Sequence, residues 1–226
     1  MPKYDLLLAD ADGTLLDFDA AEDRAIRMTM AAMEVAAEDH HVARYKAINE
    51  SLWRAFERRE VTQAELRLLR FSRFFEELGV TLLAEKASDY FVEALAQQAD
   101  VLEGAEAFLK EAASRVPVVV VTNGIPSVQR SRFARSPLGR YIKDYVISGE
   151  TGFAKPDPRM IERALELSGV FGGRALMLGD EPASDMGAAV AAGIDSCWYN
   201  PGGRVNLTGY RPTYEIRGLN EALQWL

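Results

Sequence analysis

The chain has 226 residues, enough for one domain of ordinary size or for a core with a substantial insertion. Hydrophobic residues make up 48% and charged residues 27%, so there is ample material for a real core. The net charge of −8 argues against a surface built to hold nucleic-acid phosphates, although a small anion, which meets only a local site, stays compatible. No stretch approaches the roughly 20 apolar residues of a membrane span. Met1-Pro2-Lys3-Tyr4 runs into an apolar segment too short for a signal peptide, and Cys197 is alone and cannot form an internal disulfide. A cytoplasmic location is expected, with Cys197, beside Trp198, an inert buried thiol.

Leu6-Leu7-Leu8-Ala9 is the first of five short apolar runs that read as strands buried on both faces of a parallel sheet. The others are Val118-Val119-Val120-Val121, Tyr145-Val146-Ile147, Ala175-Leu176-Met177-Leu178 and Ser196-Cys197-Trp198-Tyr199. Helical patterns lie between most of them, over 105–114, 126–135, 158–168 and 183–192. Strand alternating with helix implies an α/β fold, a doubly wound parallel sheet with right-handed crossovers.

Between the first and second strands the texture changes. Tyr45, Ile48, Leu52 and Phe56 make one stripe of an amphipathic helix. Thr62-Gln63-Ala64-Glu65 fits a capping box for a helix carrying Phe71, Phe74, Phe75 and Leu78. A further helix is expected over 81–98, with Tyr90, Phe91 and Leu95. The expected organisation is a core of residues 1–18 and 101–226 with an all-helical module, 19–100, inserted. His40 and His41, beside Glu38 and Asp39, read as a solvated connection between helices, because adjacent histidines without further ligands make a poor metal site.

Four polar features stand at the carboxyl ends of expected strands, where open α/β sheets bind ligands. Asp10-Ala11-Asp12-Gly13-Thr14 follows the first strand, and chance occurrence of D-x-D-G-T in the chain is only on the order of a few in a thousand. Thr122-Asn123-Gly124 follows the second strand and offers a hydroxyl and backbone amides to a phosphate oxygen. Lys155-Pro156, expected to open the helix after the third strand, supplies a compact positive charge. Asp180 ends the fourth strand, with Asp185 about one turn into the next helix. Asp10, Asp12, Asp180 and Asp185 would bring four carboxylates near one point, and oxygen-only ligation of that kind selects a hard divalent cation, Mg²⁺ foremost. The set fits phosphoryl transfer: Asp10 as nucleophile, Asp12 as proton shuttle, Lys155 and Mg²⁺ neutralising charge.

The order DxDGT, T-N-G, K-P, GDxxxxD, spanning residues 10 to 185, resembles the haloacid dehalogenase superfamily. The resemblance implies a Rossmann-like core sheet ordered 5-4-1-2-3 and a helical cap inserted after the first motif. It also implies Mg²⁺ held by the Asp10 carboxylate, the Asp12 backbone carbonyl and Asp180, with Asp185 supporting. The namesake dehalogenases lack the second aspartate, so Asp12 points to phosphatase chemistry. A finer resemblance, through Tyr45-Lys46-Ala47-Ile48-Asn49, 52–57, Arg70-Phe71-Ser72, 151–156, 197–201 and 212–216, is to a bacterial branch of 5′-nucleotidases for pyrimidine nucleoside monophosphates. Ala9, Ala11 and Glu181-Pro182 depart from that branch's usual pattern while leaving the catalytic side chains in place. The expected partner is therefore a small phosphorylated substrate, a nucleotide, contacted from the cap by Asn49, Trp53 or Arg70. For Trp53 the competing reading is cap packing, and for Arg70 a surface ion pair. The same core would also serve a sugar-phosphate or phosphoglycolate phosphatase, a phosphomutase, or a phosphate-binding module without catalysis.

Overall fold

A computed structural model describes residues 3–170 and 174–226, so Met1 and Pro2 lie outside the described residues. In chain order, β1 (Leu6–Ala9) is followed by α1 (Phe18–Ala32), α2 (Asp39–Glu57), α3 (Gln63–Leu78), α4 (Ala84–Ala96) and α5 (Ala105–Arg115). Then come β2 (Val118–Thr122), α6 (Pro126–Arg135), β3 (Asp144–Ile147), α7 (Ser148–Thr151), α8 (Arg159–Ser168) and β4 (Ala175–Gly179). The chain closes with α9 (Gly187–Ala192), β5 (Asp195–Tyr199) and β6 (Tyr214–Ile216). These elements form two compact units, Met1–Asp17 with Ala99–Leu226, and Phe18–Gln98.

The first unit is a parallel sheet ordered β3-β2-β1-β4-β5-β6. Every residue of β1, β2 and β4 is buried, which explains why the sequence there shows no polar alternation. Alternate side chains still divide between two cores. Leu7, Ala9, Val118, Val120, Leu176 and Leu178 pack with Phe108, Leu109 and Ala112 of α5. Leu6, Leu8, Val119, Val121, Ala175 and Met177 pack with Met160, Ile161 and Ala164 of α8 and Ala188 and Ala189 of α9. The pairings Leu7↔Val118 and Leu7↔Leu176 keep each set on one face. Each fully buried Leu or Val contributes roughly 1.5–3 kcal/mol, so a one-residue slip that exchanges the sets is strongly disfavoured. The five expected strands stand in the expected order, and β6 extends the sheet beside β5.

The second unit has an aromatic centre. The Tyr45 ring lies 5.3 Å from Phe71, 5.6 Å from Phe74 and 5.4 Å from Phe91, tying α2, α3 and α4 together. The capping box forms: Glu65 N–H donates to Thr62 Oγ1 (3.2 Å), and Thr62 N–H to Glu65 Oε2 (2.7 Å). His40 and His41 are not in a connection; they lie in the first turn of α2, which begins at Asp39. His41 Nδ1 stands 3.0 Å from the Ala36 carbonyl and His40 Nδ1 3.4 Å from Glu38, so the pair serves the start of that helix.

Candidate active site

The loops at the carboxyl ends of β1, β2, β3 and β4 gather the expected residues, and each is placed by a specific local device. The backbone N–H of Asp10 donates to the Leu178 carbonyl (2.8 Å), which fixes the first motif against β4. Gly13 has φ +82°, and a Cβ there would meet the Asp180 carboxylate at 2.8–2.9 Å, so only glycine lets the turn close over that side chain. Thr14 Oγ1 donates to Asp180 Oδ1 at 3.3 Å.

Lys155 is not at a helix start; α8 begins at Arg159, and Lys155 sits in the loop before it. Its ammonium is 1% exposed and donates to Asp10 Oδ1 (2.5 Å), Asp185 Oδ1 (2.7 Å) and the Val121 carbonyl (2.7 Å). The Asn123 side chain holds that loop: its carbonyl accepts from Lys155 N–H (2.7 Å) and its amide donates to the Lys155 carbonyl (2.9 Å). Asp185 lies in a π-helical turn, Pro182–Met186, ahead of α9, and its Oδ2 accepts from Glu181 N–H at 3.0 Å. The single helix expected over 183–192 is therefore split, a distortion that commonly marks functional sites.

Oxygens of Asp10, Asp180 and Asp185 lie within 4.8 Å of one another, a grouping able to hold a metal ion. Three carboxylates outnumber the buried Lys155 ammonium and the half-exposed Arg204 at the rim, a negative excess that suits a divalent cation. The electrostatics reflect that excess. Burial pushes Asp10 well above the usual carboxylate range; Lys155 opposes the shift, while Asp185 and Asp180 add to it. Asp180 is pushed up to about 7, by burial and then by Asp185, with Arg204 opposing. Burial alone would lower Lys155, but Asp10 and Asp185 outweigh it and raise the ammonium above its ordinary value.

Asp12 stands apart from this trio. Its carboxylate accepts from Arg132 Nη1 and from Gln129 Nε2 (2.5 Å), both on α6. Thr122, the last residue of β2, is 2% exposed; its Oγ1 accepts from Gly124 N–H (3.1 Å) and lies 3.5 Å from Gln129 Nε2. The structure thus brings Asp10, Asp180, Asp185 and Lys155 together, with Thr122, Asn123 and Gly124 alongside, and sets the carboxylate of Asp12, expected as the fourth of the cluster, on Arg132 and Gln129 instead. Gln129, Arg132 and Arg204 were not anticipated. Arg204 donates to the Asp180 backbone carbonyl and stands 3.4 Å from Asp180 Oδ2, and the Trp198 indole donates to the same carbonyl (3.0 Å).

In the helical unit, the three candidate contacts are Asn49, Trp53 and Arg70. Asn49 is 2% exposed and donates to Glu22 Oε1 (2.6 Å), while Arg70, 1% exposed, donates to Asn49 Oδ1 (3.4 Å) and lies 4.4 Å from the Phe91 ring centroid. Burial pushes Glu22 up to about 7. Trp53 is half-buried and meets Phe56 edge-to-face at 5.6 Å.

A profile of the haloacid dehalogenase-like hydrolases matches residues 4–193, spanning the whole set of strand-end motifs. The chain belongs to that family. This hydrolase is 33% identical to the HAD-hydrolase YfnB of Bacillus subtilis over 98% of its own length and 94% of the relative's. It is 35% identical to the pyrimidine 5′-nucleotidase PynA of Streptococcus pneumoniae (99% of this chain, 95% of the relative) and 32% identical to the pyrimidine 5′-nucleotidase YjjG of Escherichia coli (99% and 98%). The crystal structure of YfnB bound to magnesium superposes with a TM-score of 0.91 at 32% identity, covering 98% of this chain and 97% of that one. None of this hydrolase's described helices is long and apolar enough to cross a membrane.

Proposed function

We propose that this hydrolase is a phosphomonoesterase that works through an aspartyl-phosphate on Asp10 and acts on nucleoside 5′-monophosphates, pyrimidine ones foremost. The observation that carries the chemistry is the separation of roles among the aspartates. Asp10 is held by Lys155 beside Asp180 and Asp185, while Asp12 is turned to donors of its own. Two aspartates two residues apart in different settings suit two different tasks.

Asp10 attacks phosphorus as the bond to the ester oxygen breaks, and Asp12 supplies the proton that the leaving oxygen needs. In the second half-reaction Asp12 takes a proton from water, which displaces Asp10 from phosphorus. The Lys155 ammonium, fixed by three acceptors, orients Asp10 and offsets the charge of the phosphoryl group. Among the described residues the Thr122 hydroxyl accepts without donating, which leaves its proton for a phosphate oxygen. The acidic trio and its charge excess fit Mg²⁺, which Asp10, Asp180 and the Asp12 carbonyl would hold with Asp185 in support; bound there it would neutralise developing charge on the transferring group.

The nucleotide preference is supported by PynA and YjjG, which match over 99% of this chain, helical unit included. Trp53 keeps part of its indole open for stacking, and Asn49 and Arg70, bonded to each other, bear on specificity by fixing α2 against α3. Burial pushes the Cys197 thiol up to about 12, which suits an inert cysteine in the reducing cytoplasm, where we place the enzyme. The test is a turnover screen with Mg²⁺ against pyrimidine and purine monophosphates, sugar phosphates and phosphoglycolate, with Asp10→Asn as control. Loss of turnover in Asp10→Asn and a preference for pyrimidine nucleotides are expected. Preference for a sugar phosphate over every nucleotide would refute the substrate assignment, and full activity of Asp10→Asn the covalent route.

A further inference from the structure

Two buried polar side chains on α6 have no part in the steps above. Gln129 and Arg132 stand three residues apart on one face of that helix, 1% and 0% exposed. Arg132 Nη1 donates to Asp12 Oδ1 and Gln129 Nε2 to Asp12 Oδ2, so each oxygen of one carboxylate has its own donor, one of them fully charged. A carboxylate oxygen only accepts, which sets the Gln129 amide with its NH₂ toward Asp12. The cost is on the other side: Gln129 Oε1 is buried without a partner among the described residues. Leaving a buried acceptor unpaired is destabilising, so the amide is held by what its donor gains.

Gly124 makes room for the Gln129 side chain. A Cβ there would lie 2.3 Å from Gln129 Nε2 and 2.7 Å from its Cγ. Gln129 and Arg132, both on α6, thus act together on a side chain from the β1 loop. An apolar residue would fill the helix's inner face without the desolvation cost of a guanidinium, so packing alone does not account for Arg132.

We infer that Arg132 and Gln129 are positioning residues that aim the Asp12 carboxylate and so govern both of its proton transfers, an inference that rests on reading Asp12 as the proton shuttle. While the Asp10–phosphorus bond forms and the ester bond breaks, the Asp12 proton passes to the leaving oxygen. While the Asp10–phosphorus bond breaks, Asp12 takes a proton from the attacking water. To serve both, the carboxylate must keep its place yet free one oxygen. The charged Arg132 guanidinium donates to Oδ1 whether or not Asp12 carries its proton, so it is the stronger of the two partners and acts as the pivot; the neutral Gln129 amide is the one that exchanges.

The test compares phosphoenzyme formation in single turnover with two substrates. One is p-nitrophenyl phosphate, whose phenolate departs without a proton; the other is the best alkyl phosphate from the turnover screen, whose alkoxide needs one. Arg132→Met is expected to lose about 10²-fold with the alkyl ester, at the lower end of what acid–base catalysis contributes, and only a few-fold with the aryl ester. Arg132→Lys should restore most of the loss, and Gln129→Met should show a smaller loss with the same selectivity. Equal losses with both esters, or none with either, would overturn the inference. If a thermal melt shows Arg132→Met unfolded, Gln129→Met decides by the same criterion. Asp12→Asn sets the benchmark: if it is itself unselective, the shuttle reading falls and the inference with it.

Discussion

The charge excess in the acidic trio makes a definite prediction about the metal-free protein. Asp180 sits near 7 in the folded chain against an ordinary value of 3.8. Between those values the folded state holds a proton that the unfolded state has released. Unfolding free energy therefore falls as pH rises through that window, the reverse of the usual salt-bridged carboxylate. Three pH units at 1.36 kcal/mol each give about 4 kcal/mol, and because the Asp180 side chain is 22% exposed a range of about 2–4 is appropriate. For a chain of this length that corresponds to roughly 5–15 °C in Tm. In EDTA, wild type should lose stability between pH 4.5 and pH 7.5 relative to Asp180→Asn. Asp10 is shifted the same way, so the variant removes only part of the slope. A divalent cation replaces the proton, so Mg²⁺ should raise Tm more at pH 7.5 than at pH 5, with protons released on binding. Calorimetry at the two pH values, with titrations in buffers of different ionisation enthalpy, reads both effects. If metal-free wild type gains stability over that range relative to Asp180→Asn, or Mg²⁺ stabilises equally at both pH values, the reasoning is wrong.

Two further outcomes follow from the geometry. Lys155→Met leaves Asp10 and Asp185 without their buried cation, so stability in EDTA should fall by about 3–5 kcal/mol and turnover by roughly 10²–10³-fold, measured by denaturant titration and steady-state rates; an unchanged midpoint would refute the role of the ion pair. Gly13→Ala drives a Cβ to within 2.8 Å of Asp180 at a φ of +82°, so the fold should persist while Mg²⁺ affinity falls about tenfold, the equivalent of about 1.4 kcal/mol of strain; a calorimetric titration matching wild type would refute it.

How far the sequence carried depended on whether a signal was local. β1, β2 and β4 were legible because strands buried on both faces are apolar without interruption. Asp10, Thr122, Lys155, Asp180 and Asp185 were legible because each stands at or after such a run. β6 was not, since a three-residue strand with Glu215 exposed carries no pattern. α1 was missed because its inner face is built from Ala21, Ala25, Ile26 and Met30 with Glu22 and Thr29 among them, a weak stripe. Gln129 and Arg132 escaped for a related reason: polar residues on a helix read as solvated, and only the packing of α6 buries them. Asp12 was expected among four convergent carboxylates, but side-chain direction depends on partners 117 and 120 residues away, which no local spacing reveals.

The Asn123 contact ties the loop before α8 to the end of β2. Lys155 is held by a side chain 32 residues earlier that grips both its N–H and its carbonyl. The reach of the ammonium is thereby surveyed from β2, the strand that also ends in Thr122. A change at Asn123 would therefore be felt at a charge that belongs to a later crossover, without altering any residue that touches the ammonium.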